Sequence, residues 1–183
     1  MTGTERAGDG AMLLREERDH DRLMLVLDRL RLLTNSDLAA LALHDRMSRY
    51  MKWSFISGSR NGKILTMKIT PGVGPAGMAL RLGREYRHGA AAGSVSCDIG
   101  HGGGGSPTVN LNAVESCPAM LAERLVTAAA YPLLKLDGPI IGGLLLLGRR
   151  AGDVYGDCER LAAEESLTAI KAVWSGMTAD EMS

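Results

Sequence analysis

Met51 to Arg84 reads MKWSFISGSRNGKILTMKITPGVGPAGMALRLGR, and the order of its parts decides the fold. A β-rich run, Lys52 to Ser57, carries Trp53. Asn61-Gly62 marks a turn into a second run, Ile64 to Ile69, where Ile64, Leu65, Met67 and Ile69 mix with Thr66 and Lys68. The glycine-rich PGVGPAG, Pro71 to Gly77, then opens a helix predicted over Pro75 to Leu82 that stops near Gly83. Pro75 suits the first turn, because its fixed φ is already helical and its missing N–H would have had no helical acceptor there. The N–H groups of such a start lie at the positive end of the helix dipole and can hold a small anion.

Outward from this stretch, the periodicity supplies helices at both ends. From about Met12 to Leu33, Leu23, Val26, Leu27, Leu30 and Leu33 recur at helical spacing, opposite Arg15, Glu16, Arg18, Asp19, Arg22, Arg29 and Arg31. Met24, Leu25 and Leu32 widen the apolar face, which implies packing on a second subunit and hence a homodimer. The cluster Thr34-Asn35-Ser36-Asp37 ends the helix, and Leu38 to His44 reads as a buried strand. Gly89 to Pro118, with its run Gly102 to Gly105, reads as a long loop, and Pro118 to Arg124 as a short helix. Val126 to Leu134 and Ile140 to Leu147, joined at Asp137-Gly138-Pro139, read as a hairpin of central strands. Cys158 to Met177 closes the chain as a helix through Leu167, Ile170, Val173, Trp174 and Met177, with Asp157 and Glu159 near its positive end. The expected organisation is an unstructured start over 1–10, one domain over 11–177 whose first helix occupies 11–33, and a tail over 178–183. The fold class is α+β, a central antiparallel sheet flanked by N- and C-terminal helices.

Composition narrows the function. With 183 residues and 21 acidic against 21 basic side chains, the chain lacks the positive footprint of a nucleic-acid binder. Its longest apolar stretch, Ile140 to Leu147, is far shorter than the roughly 20 residues a membrane-spanning helix needs, and no signal-peptide pattern opens it, so a cytoplasmic location is expected. Cys97, Cys117 and Cys158 are odd in number and widely spaced, which fits reduced thiols. Cys97, Asp98 and His101, with His88 and Cys117 nearby in sequence, match no closed zinc pattern, so no metal and no cofactor are expected. His20, His44, His88 and His101 have no recognisable nucleophile motif, so no catalytic residue is assigned; His44, at a strand end, reads as structural.

The segments MKWSFISG, GVGPAGMALRLGR and AAAYPLLKLDGPIIGGLLLLGRR, with the closing helix, resemble GAF domains, and within them the cytoplasmic nitrate receptors of the NreA type. The resemblance covers about Leu38 to Trp174. It implies a non-enzymatic sensor that binds nitrate or a similar small anion and modulates a sensor histidine kinase in nitrogen regulation. The positions it points to are Trp53, Pro75, Ala76, Tyr131, Pro132 and Leu133. Pro75 departs from the donor pattern, having no N–H, so backbone donation falls to Ala76, Gly77 or Leu133. Trp53 and Tyr131 fit a core role as well as a pocket wall. Nitrate is planar, weakly hydrated and not protonated near neutral pH, so its receptor requires a shaped, partly apolar pocket with a few donors and no general acid or base.

Two alternatives use the same domain. Some GAF proteins are free methionine-R-sulfoxide reductases with loop cysteines over the pocket, a role open to Cys97 and Cys117, although SVSCDIG and VESCPAM do not resemble the reductase pattern. The other is a GAF sensor of a different small metabolite. The signature of cyclic-nucleotide-binding GAF domains is absent, and a bilin photoreceptor fits less well.

Overall fold

The computed structural model describes residues 6–44, 50–60, 62–89, 117–134 and 141–180. Five strands form one antiparallel sheet: β1 (Leu38–His44), β2 (Met51–Ser57), β3 (Tyr86–His88), β4 (Thr127–Leu134) and β5 (Ile141–Arg149), in the order β2-β1-β5-β4-β3. Among the described residues the α-helices are α1 (Arg6–Leu33), α2 (Gly74–Leu82), α3 (Pro118–Glu123) and α4 (Asp157–Asp180). Helix α1 starts earlier than the periodicity alone indicates.

Both faces of the sheet are covered, which explains the unbroken apolar run Leu144-Leu145-Leu146-Leu147 on β5. Leu144 and Leu146 face α2 and α3, while Leu145 and Leu147 face α1 and α4. All four are buried, each stabilising the fold by roughly 1.5–3 kcal/mol relative to exposure. The same alternation sends Leu38, Ala40 and Ala42 of β1 to the first face and Ala39, Leu41 and Leu43 to the second.

Trp53 and Phe55 break the alternation. They are two residues apart, yet Trp53 joins the α2 face and Phe55 the α1 face. The register explains this, since Leu41 pairs with Phe55 and Ala42 with Trp53, leaving Ser54 as the extra residue of a β-bulge.

The expected third strand over Ile64 to Ile69 is not one. Lys63–Thr66 forms a 3-10 turn, closed by a bond from Thr66 Oγ1 to the Lys63 carbonyl, and Lys68 alone bridges to Lys52. Ile64 and Met67 pack inward three residues apart, a spacing that suits a 3-10 turn and not a strand. The third strand is instead Tyr86–His88, paired with Ala130, Ala129 and Ala128. Most of the expected loop over Gly89 to Pro118, and the turn Asp137-Gly138-Pro139, lie outside the described residues.

Adjacent arginines tie the end of β5 to both layers. Arg149 turns to the helix layer, donating to the carbonyls of Thr34, Asn35 and Asp153 and to Glu159 Oε1, with its guanidinium 4.3 Å from the Tyr155 ring centre. Arg150 donates to the carbonyls of Glu123 and Gly58 and, at 2.9 Å, to Glu123 Oε2. No helix among the described residues is long and apolar enough to cross a membrane.

Candidate functional site

Helix α2 begins at a turn built for close approach. Gly72 donates to the Gly77 carbonyl at 2.7 Å, and a Cβ at Gly77 would lie 2.1 Å from the Thr70 carbonyl oxygen. Gly74 has φ +66°, and its missing Cβ leaves the space taken by the Cys117 thiol. Gly74, Pro75, Ala76 and Gly77 are all buried. No side chain caps this start and its first turn carries no acid. Gly74 and Ala76 therefore hold first-turn N–H groups with no intrahelical acceptor, separated by Pro75, at the positive end of the helix.

The sheet beneath supplies an apolar floor. Register places Trp53, Ala42, Leu144 and Pro132 in one row across β2, β1, β5 and β4. Trp53 is 4% exposed and belongs with Ala76, Cys117 and Leu144 to one buried cluster. Of the six sequence-derived positions, Trp53, Pro75, Ala76 and Pro132 thus belong to the α2 side of the sheet.

Tyr131 and Leu133 point the other way. Flanking Pro132 on β4, they join Phe55, Tyr155 and Ile170 beneath α1 and α4. The Tyr131 hydroxyl is buried and has no hydrogen-bond partner, as are Thr127 Oγ1 and Arg87 Nε on the same face. Burial raises the Tyr131 pKa, against the opposing pull of Arg87, so the phenol is neutral at physiological pH. Tyr155 is pushed up to about 12 by burial, despite its hydrogen bond with Ser36. Beyond Ala130 the edge of β4 that faces β3 is no longer paired with it, while Tyr131 to Leu134 remain paired with β5 on the other edge.

Glu123 is the buried carboxylate of this side of the fold. Burial favours its protonated form, but bonds from Ser59 Oγ, the Arg60 N–H and Arg150 outweigh that and hold its pKa below the ordinary carboxylate value. It is committed to joining α3 to the segments that follow β2 and β5. Among the described residues, no three His, Cys, Asp or Glu side chains gather into a metal site. Cys117 is buried and Cys158 exposed, and neither is in a disulfide. Cys97, Asp98 and His101 lie outside the described residues.

No family model matches the chain, and no curated protein matches it. Solved structures do. The GAF domain of a phosphoenolpyruvate-protein phosphotransferase from Coxiella burnetii superposes over 94% of this chain and 95% of its own, with 12% identity and a TM-score of 0.66.

The chain has a GAF fold.

Among GAF structures it resembles NreA of Staphylococcus aureus, in a form mutated in its nitrate binding site. That match has 25% identity over 72% of this chain and 85% of NreA, with a TM-score of 0.52. A type II free methionine-R-sulfoxide reductase from Thermoplasma acidophilum shares the GAF fold at 9% identity, covering 87% of this chain and 94% of its own, with a TM-score of 0.59.

Proposed function

We propose that this GAF protein is a non-enzymatic sensor of nitrate or a similar small anion, acting on a sensor histidine kinase in nitrogen regulation. The observation that carries the reading is the buried, uncapped start of α2, whose first-turn N–H groups lie in the same cluster as Trp53. A planar, weakly hydrated anion suits an apolar wall with a few backbone donors. Gly74 and Ala76 supply donors on the helix side, and Pro132 lies on the same side of the sheet as an apolar wall. Tyr131 acts through its main chain, with its ring in the core. The similarity to NreA supports the choice of ligand.

A sensor domain passes on occupancy through surfaces that differ between its states. Helix α1 offers one, since Leu25 and Leu32 are 69% and 71% exposed. A homodimer packed through α1, placed in the cytoplasm, completes the reading. Calorimetric titration with nitrate, with nitrite, chloride and free methionine sulfoxide as comparisons, tests it. Saturable nitrate binding that disappears in Trp53→Ala is the expected outcome, and absence of nitrate binding in the wild type refutes the assignment.

One observation favours a second reading. Cys117 packs its thiol against Gly74, on the pocket side of the sheet, where a reductase would need a nucleophile. Turnover of free methionine sulfoxide abolished by Cys117→Ser would establish that enzyme and displace the sensor.

A further inference from the structure

His44 is the last residue of β1, and its Nδ1 is buried without a hydrogen-bond partner. An imidazole nitrogen left in this state is costly, because water has been removed and nothing replaces it. Three relations place the ring. Strand alternation continues the series Ala40, Ala42, so His44 lies on the face that holds Trp53 and Ala76. His44 pairs with Met51 and Ala42 with Trp53, which makes His44 and Trp53 diagonal neighbours on adjacent strands. The Met51 carbonyl accepts from the Ile69 N–H, and from Ile69 the chain turns through Thr70 to Val73 straight into α2. The approach to α2 is therefore anchored, through Ile69, at the end of the sheet that carries His44.

The donor inventory of the pocket has room for this group. Pro75 separates the N–H groups of Gly74 and Ala76, so the first turn of α2 presents a broken row. Nitrate offers only acceptor oxygens, and an imidazole carrying its proton on Nδ1 is a donor in either charge state. We infer that His44 is an anion-binding residue of this site, donating its ring N–H to a bound oxyanion beside Trp53. This inference rests on the anion-sensor reading and adds a side-chain donor to it.

The test uses the full chain and sodium nitrate. His44→Phe keeps the bulk and removes the donor, and is expected to weaken nitrate binding about 10- to 100-fold, the loss of one hydrogen bond to a charged group. His44→Asn, whose amide reaches toward the Nδ1 position, is expected to bind more tightly than His44→Phe. On wild-type protein, nitrate is expected to shift the imidazole 15N resonance that is absent from both variants, a readout independent of how well either folds. Unchanged affinity in His44→Phe, or a His44 resonance that stays put at nitrate saturation, overturns the inference while leaving the sensor reading intact. Absence of nitrate binding to the wild type overturns both.

Discussion

Replacing Gly74 by alanine is the most informative single perturbation of the α2 start. Gly74 sits at φ +66°, where an L side chain costs about 1–2 kcal/mol. An alanine Cβ would also meet the Cys117 Sγ at 2.2 Å and Cβ at 2.7 Å, well inside contact distance. Overpacking of this kind costs roughly 1–3 kcal/mol. The two costs together come to about 2–5 kcal/mol, which lowers the melting temperature by roughly 4–20 °C in a chain of this size. Urea unfolding of Gly74→Ala, Cys117→Gly and the double variant separates them. Cys117→Gly removes both clashing atoms, so Gly74→Ala should cost about 1–3 kcal/mol less in that background, with the cost of the positive φ remaining. A Gly74→Ala protein as stable as the wild type, or additive losses in the double variant, would refute the packing described for the α2 start.

Three further outcomes follow from the same geometry. Arg149→Met strands the carbonyls of Thr34, Asn35 and Asp153 and the Glu159 carboxylate, and should cost about 3–5 kcal/mol in denaturant unfolding, with Arg149→Lys recovering little because an ammonium cannot span those acceptors. Glu123 has a folded pKa below its ordinary 4.5, so its contribution is complete above about pH 5 and disappears as pH falls through the folded value. The stability gap between wild type and Glu123→Gln, about 1–3 kcal/mol at pH 7, should therefore close on acidification, and a gap unchanged at pH 3 would contradict the assignment. Tyr131→Phe deletes a buried hydroxyl that has no partner, so it should be neutral or stabilising by up to about 1 kcal/mol and leave nitrate affinity unchanged.

Most of the fold was legible because most of its elements carry their own period. The helical spacing of Leu23, Leu27 and Leu30 and the unbroken apolar β1 and β5 announce themselves without tertiary context. Tyr86–His88 does not, because three residues are too few to show an alternation and the strand exists through its pairing with Ala128 to Ala130. Ile64 to Ile69 has the apolar content of a strand, yet its inward residues, Ile64, Met67 and Ile69, are spaced by three and then two, and the first interval spans a 3-10 turn. In the candidate site, the α2 start and Trp53 could be read from glycine chemistry and strand position. The bulge at Ser54 could not, although it alone sends Trp53 and Phe55 to opposite faces. The resemblance points to Tyr131-Pro132-Leu133 as one patch, yet a strand period of two already divides it. His44 gave no sequence signal beyond its place at a strand end; its importance comes from an unmade hydrogen bond, which only coordinates reveal.

A crystal structure of the protein grown with nitrate would show directly whether the α2 start holds the anion. The expected density is a planar anion on the α2 side of the sheet, within hydrogen-bond distance of the Ala76 N–H and His44 and against the Trp53 ring. An α2 start that stays without anion at saturating nitrate, or nitrate seated on the opposite face beside Tyr131, would contradict it.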